Sequence, residues 1–336
     1  MDPMPGATTR IASYLIAFAA LLLVLQLHLL PALLAGLLVY ALVESLAPTV
    51  QRLIPGTHAH WLIVALLSAV VVSLLTLAIL GSIAFLRSER GNPSLVFENM
   101  MPLIERARGQ LPQVVVDYLP DSIDDFRAEA IEWLREHAAQ LQVAGATAAR
   151  VVVHLLIGMV LGAMVALASA RPLRRDAPLV NALVTRSMQL VHSFHDIVFA
   201  QVKISAFNTL LTAIYLLIVL PLFNVELPLA KTLVIVTFVV GLLPVVGNLV
   251  SNTLIFVMGL SVSLGVAVSA LVYLIVIHKF EYFLNARIVG TQIRARAWEL
   301  LIAMLFMEAA FGAAGLIAAP IYYAYLKREL AAAKLI

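Results

Sequence analysis

The chain has 336 residues, of which 62% are hydrophobic and only 12% charged. A soluble domain carries roughly a quarter charged residues, so this chain lacks the charge needed to coat a water-facing surface. It has no cysteine, which excludes disulfide scaffolds, iron–sulfur clusters and thiolate zinc sites. Its net charge of +3 gives no reason to expect a nucleic-acid partner.

The apolar residues come in long runs. Ile11 to Val43 contains no Asp, Glu, Lys or Arg, and neither does Trp61 to Leu86. A helix needs about 20 apolar residues to cross the hydrocarbon core, so these runs read as spans of an integral membrane protein. The first span covers about Ile11 to Leu29. It outruns a signal core and no A-x-A-type site clearly follows it, so it is expected to remain uncleaved. Pro31 marks a tight turn into a second span, about Pro31 to Ala47. Pro48, Arg52 and Pro55-Gly56 punctuate a short loop before a third span, about Trp61 to Leu86.

Glu89 to Gly145 is the one clearly water-facing region. It holds ten acids against five arginines, more than half of the chain's 19 acids. Ile123, Phe126, Ala130, Ile131, Leu134, Ala138 and Leu141 recur at helical spacing, which predicts an amphipathic helix. Pro120 precedes it, and Ser122 with Asp125 reads as a capping box. Such a helix can pack on the protein's own membrane domain, lie on lipid headgroups, or bind a partner.

A fourth span, about Ala148 to Ala170, ends at the basic cluster Arg171, Arg174 and Arg175, which marks the cytoplasmic side. Pro178 opens a further amphipathic stretch leading into a fifth span, about Ile197 to Phe223. These flanks put the acidic region outside, and Arg52 and the N-terminus inside. A second basic loop, Lys279 to Arg296, should also lie inside. Leu229 to Phe280, at 52 residues, is too long for one crossing, and two simple crossings would put that loop outside. The conflict disappears if Leu229 to about Leu260 is a broken pair that enters and returns on one side, turning at Pro244 to Asn248. A full span, about Ser261 to Ile277, then returns inward. Trp298 to Leu326, interrupted by Gly312, Gly315 and Pro320 and followed by Lys327 and Arg328, has the same character.

The expected fold is therefore all-α and polytopic, with about six full spans and two re-entrant hairpins forming an inverted repeat, plus an extramembrane amphipathic helical region. The expected divisions are 1–88 (three spans), 89–145 (acidic external region), 146–195 (fourth span and cytoplasmic amphipathic helix) and 196–336 (transport core). Inverted repeats with interrupted helices are how many secondary transporters build a midplane site. Gly and Pro could instead serve close helix packing or a kink.

An ionisable residue inside the hydrocarbon is expensive and is a functional candidate by default. Glu308, four residues before Gly312, is the outstanding case, because a carboxyl at that depth can carry a proton or a cation. It could also simply bond to backbone freed at the helix break. Glu299 lies nearer the interface. Lys203, with Asn208 five residues on, pairs in the core or snorkels to the cytoplasmic side. Asn248, Ser251 and Asn252 offer neutral donors and acceptors at the first break, beside Pro244 and Gly247. Lys279, Glu281 and Asn285 form a polar end to the penultimate span. His192, His195 and Asp196 could approach one metal, but nothing supplies a further ligand or a general base, so a surface helix is the better reading. There is no H-E-x-x-H, G-x-S-x-G or Walker A sequence. Neither an enzyme nor a cofactor is expected.

Three segments resemble a known family. Pro244-Val245-Val246-Gly247 is similar to the P-x-x-G segment of the autoinducer-2 exporter family. Ala286-Arg287-Ile288-Val289-Gly290 is similar to its P-K-I-V-G, with Ala286 in place of proline. Phe311 to Pro320 is similar to its C-terminal F-G-x-x-G-x-x-x-A-P. Two further prolines usual in the family are replaced, around Ala297-Trp298-Glu299 and at Leu254. The resemblance implies a multi-span transporter in the bacterial inner membrane that works as a homo-oligomer, with pentamers the family expectation. It implies autoinducer-2 as substrate in some members and sodium/proton exchange in others. A passive channel, or a membrane scaffold or regulatory subunit that binds an envelope partner through residues 89–145, are the other classes this sequence suits.

Overall fold

The structure is a computed structural model that describes residues 6–54, 56, 58–87, 123–169, 177–242, 246–293 and 296–336. Ser122, Arg171, Arg174, Arg175, Pro244 and most of the acidic region lie outside the described residues. All the described elements are helical. Six helices are long and apolar enough to cross a membrane.

Helices α1 (Ala7–Gln26) and α2 (Leu30–Gln51) are joined by a tight turn in which His28 takes a left-handed φ of 57°. Pro31 then sits in the first turn of α2, where its missing N–H has no partner to lose. The predicted end of this span at Ala47 is one turn short. Pro48 lies inside α2 and removes one backbone bond without ending the helix. Helix α3 is His58–Arg87, and α4 is Ile123–Glu136, the predicted amphipathic helix. A single interruption at His137 separates α4 from α5, Ala138–Ser169, so α5 starts ten residues before the predicted fourth span. Helix α6, Pro178–Ile214, joins the predicted amphipathic stretch and fifth span without a break. It runs on through a π turn, Tyr215–Val219, to Leu220–Leu222.

Helices α7 (Ala230–Gly241) and α8 (Val246–Leu260) are the first broken pair. At 1.5 Å per residue their 12 and 15 residues reach only about 18 and 22 Å, short of the ~30 Å hydrocarbon core. Helix α9, Leu264–Ile293, contains the predicted span but stays helical through Ala286 to Gly290, where a basic loop was expected. Helix α10, Ala297–Ala332, is non-helical at Gly312, with φ 61° and ψ −145°.

Although α10 has the length of a spanning helix, it is folded in two at Gly312. Lys327 Nζ lies 2.6 Å from Glu299 Oε2, whereas in a straight helix their separation of 28 positions would put them about 42 Å apart. A Cβ on Gly315 would fall 1.9 Å from the Met307 carbonyl oxygen, so the two limbs, 297–311 and 313–332, touch backbone to backbone. Only glycine readily adopts the conformation at Gly312. Pro320, named as a break from sequence, lies inside the second limb.

The chain divides into two compact units. Residues Met1–Leu74, Gly145–Phe199 and Ile288–Ile336 form the first, and Leu75–Ala144 with Ala200–Arg287 the second. In the first unit α2 and α5 meet without side chains between them. A Cβ on Gly158 would lie 2.0 Å from the Ala32 carbonyl oxygen, and one on Gly162 2.2 Å from that of Gly36. Small residues that admit such approach are how helices associate where lipid removes the hydrophobic drive. Leu25, Leu30 and Ala318 bring α1, α2 and the second limb of α10 together, with Met307 and Phe311 of the first limb packed against them. In the second unit Tyr215, Leu216, Leu233, Ile255 and Leu274 form the core, so α6, α7, α8 and α9 share one apolar centre. Outward faces remain apolar, as at Phe18, Leu66, Leu77, Val160 and Leu210, which suits hydrocarbon contact.

Candidate transport site

In the second unit the polar residues of α6 line up on one face at Gln201, Ser205 and Asn208. Gln201 Nε2 donates to the Gly241 carbonyl at 2.8 Å, and Ser205 Oγ donates to the Phe238 carbonyl at 2.7 Å. Both acceptors belong to the last turn of α7, whose carbonyls have no partner within their own helix. One turn further along, Asn208 Nδ2 donates to Asn248 Oδ1 at 2.9 Å, in the first turn of α8. Asn208 is buried. The long helix α6 thus bonds polar groups at the facing ends of α7 and α8.

Ser251 is fully buried one turn below Asn248 and donates to its carbonyl at 3.3 Å, and Asn252 is half-buried beside it. Gly247 permits the tight return, since a Cβ there would lie 2.2 Å from the Val240 carbonyl oxygen. Beyond the seam, Tyr215 and Tyr273 stack with centroids 4.2 Å apart. Tyr215 Oη and Ser269 Oγ share a hydrogen bond at 2.8 Å, and Tyr273 Oη donates to the Leu211 carbonyl at 3.0 Å. Leu211 lies one turn before the π turn, where the helical bonding register shifts.

Four of the residues singled out from sequence (Asn208, Asn248, Ser251 and Gly247) therefore meet at one break. Lys203 and Lys279 do not join them, because both side chains are exposed. Glu281 and Asn285 lie on α9, with side chains outside the described set. Gln201 and Ser205 were missed, although their i, i+4, i+7 spacing with Asn208 on a span was a usable signal. Asn208→Leu should cost about 0.5–1.5 kcal/mol, the net worth of the hydrogen bond that the buried Asn208 makes to the half-buried Asn248. The double variant with Asn248→Leu should recover part of the loss. Thermal unfolding in detergent of the two singles and the double checks this.

In the first unit the open end of the α10 hairpin is held by charge. Glu299 pairs with Lys327 and accepts from the Tyr323 hydroxyl, so it clasps one limb to the other. Arg186 of α6 pairs with Glu329, both side chains being almost fully buried, and the Arg186 guanidinium lies 3.8 Å from the centre of the Tyr14 ring. Arg328 pairs with Asp196. The His192, His195 and Asp196 group thus has its carboxylate committed to an arginine, and His195 stacks on Phe199. No cluster able to hold a metal occurs among the described residues. Glu308 sits in the first limb, exposed on the hairpin's outer face, and no described residue pairs with it.

Apolar spans, two helical hairpins folded at Gly- or Pro-containing breaks, and a neutral polar seam at the first break together make a multi-pass membrane protein of the transporter class. Compared with known families, residues 11–334 match the one described as AI-2E family transporter. The chain belongs to that family, as its three motifs suggested. No curated protein and no solved structure matches it.

Proposed function

We infer that this chain is a secondary transporter of the bacterial inner membrane that exports a small polar solute, driven by a proton or sodium gradient. The observation that carries this reading is the bonding of a broken helical pair to a span by uncharged amides and a hydroxyl. Gln201, Ser205 and Asn208 present groups that a polar solute or a partly dehydrated ion can replace one for one. The two hairpins enter the membrane from opposite sides as an inverted repeat, with both chain termini cytoplasmic, and the working form is a homo-oligomer, with a pentamer as the family precedent. The basic residues that flank the spans and the shortness of α7 and α8 support this arrangement.

Glu308 is the coupling group, a carboxylate on an apolar hairpin limb that no described residue pairs with. Reconstituted vesicles should show solute efflux driven by a pH or sodium gradient, and Glu308→Gln should abolish the gradient dependence. Unchanged, gradient-driven flux in that variant would remove Glu308 from the mechanism. Conductance independent of any gradient would favour a passive channel.

A further inference from the structure

A cavity of about 790 Å³ runs along the first unit between α1 and both limbs of the α10 hairpin. That volume lies within the ~300–1,000 Å³ of sites that hold lipid- or drug-sized ligands. Its two ends differ in chemistry. One is lined by Arg10, Tyr14, Tyr325 and Glu329, and the remainder is apolar, with Leu22, Leu25, Met307 and Phe311 prominent. Glu329 is neutralised by Arg186, so Arg10 leaves the polar end with one net positive charge. Arg10 is exposed, and no described residue pairs with it. The cavity also opens sideways, because its lining residues Phe18 and Leu326 are 68% and 51% exposed.

We propose that this groove is a binding site for an anionic phospholipid, with its headgroup phosphate at Arg10 and Tyr14 and one acyl chain laid along α1 toward Leu25 and Phe311. Three features select that occupant. Among the described lining residues the polar end carries one uncompensated cation, Arg10, which complements a monoanionic headgroup. The fifteen-position step from Arg10 to Leu25 spans about 22 Å of helix, more than the ~15 Å of one hydrocarbon leaflet, so one chain fits lengthwise. The lateral opening along exposed apolar side chains lets a lipid slide in from the bilayer with its acyl chain never leaving hydrocarbon. The site uses none of the residues of the polar seam or Glu308, so it stands apart from the transport reading.

The test is native mass spectrometry of the full chain in detergent with an equimolar mixture of phosphatidylglycerol and phosphatidylcholine of matched acyl chains. Wild-type protein should retain phosphatidylglycerol with a preference of roughly fivefold, the size expected of one arginine against one anionic headgroup. Arg10→Gln, which changes an exposed side chain, should abolish the preference without lowering the unfolding temperature. Ala303→Trp, which fills the groove, should reduce retention of both lipids. Equal retention of the two lipids by wild type, or an unchanged preference in Arg10→Gln, overturns the proposal. A change of subunit stoichiometry in Ala303→Trp with lipid retention intact also overturns it, because a second copy of the chain would then be what covers the groove.

Discussion

Arg186→Met is expected to destabilise the protein by about 3–5 kcal/mol, the cost of leaving a buried charge without its partner. The Glu329 side chain is only 5% exposed and that of Arg186 only 11%, so water cannot replace the missing guanidinium. The Tyr14 ring, which Arg186 also covers, loses its cation. The double variant Arg186→Met/Glu329→Leu should recover much of the loss, since apolar replacement of a whole buried pair is often neutral. By contrast, Arg135→Ala should change stability by less than about 1 kcal/mol, because its pairing with Glu132 is largely exposed and water screens it. Thermal unfolding of the three variants in one detergent separates these outcomes. An Arg186→Met protein as stable as wild type would show that the pair is not what fixes α10 to α6.

Gly315→Val should open the C-terminal hairpin. The new Cβ would meet the Met307 carbonyl carbon at 2.5 Å, and backbone on both limbs leaves no flexible side chain to yield. Overpacking of this kind costs about 3 kcal/mol. The effect is local, so it can be read locally. The chain has no cysteine, and cysteines placed at positions 299 and 327 should be joined by a short bifunctional thiol reagent in an otherwise wild-type background. Adding Gly315→Val should sharply reduce that cross-linking. Retained cross-linking would mean that the limbs accommodate the methyl groups without parting.

Much of the architecture was legible because apolar length and the position of basic residues are strong, local signals. The chain reverses between α7 and α8 and again within α10, in the two Gly- and Pro-interrupted segments that the sequence singled out. The exact pivot was less legible. Gly312, Gly315 and Pro320 all interrupt the pattern, but a proline can sit inside a helix and a glycine can serve packing. Only backbone geometry separates Gly312, which turns the chain, from Gly315, which lets the limbs touch. The ion pairs were out of reach for another reason. Arg186 and Glu329 are 143 residues apart, and no periodicity links two helices that meet only through the fold. Helix limits ran long at α2, α5 and α9 because charged or proline-containing turns just outside an apolar stretch still gain backbone bonds by staying helical. In the polar seam Asn208 and Asn248 stood out as amides in apolar surroundings, whereas Gln201 and Ser205 looked like ordinary helix positions until the ends of α7 gave them acceptors.

The glycine contacts between α2 and α5 have a mechanical consequence. Where side chains interdigitate, one helix can slip past another by changing rotamers, and such shear is a common source of motion in helical proteins. Here Gly158 bears directly on Ala32, and Gly162 on Gly36, with nothing between them that can rotate out of the way. A slip of one turn would bring His154 or Ala166 to contacts that a Cβ does not fit. The two helices therefore behave as one stiff strut, and any rocking during a transport cycle carries both together and bends the chain elsewhere.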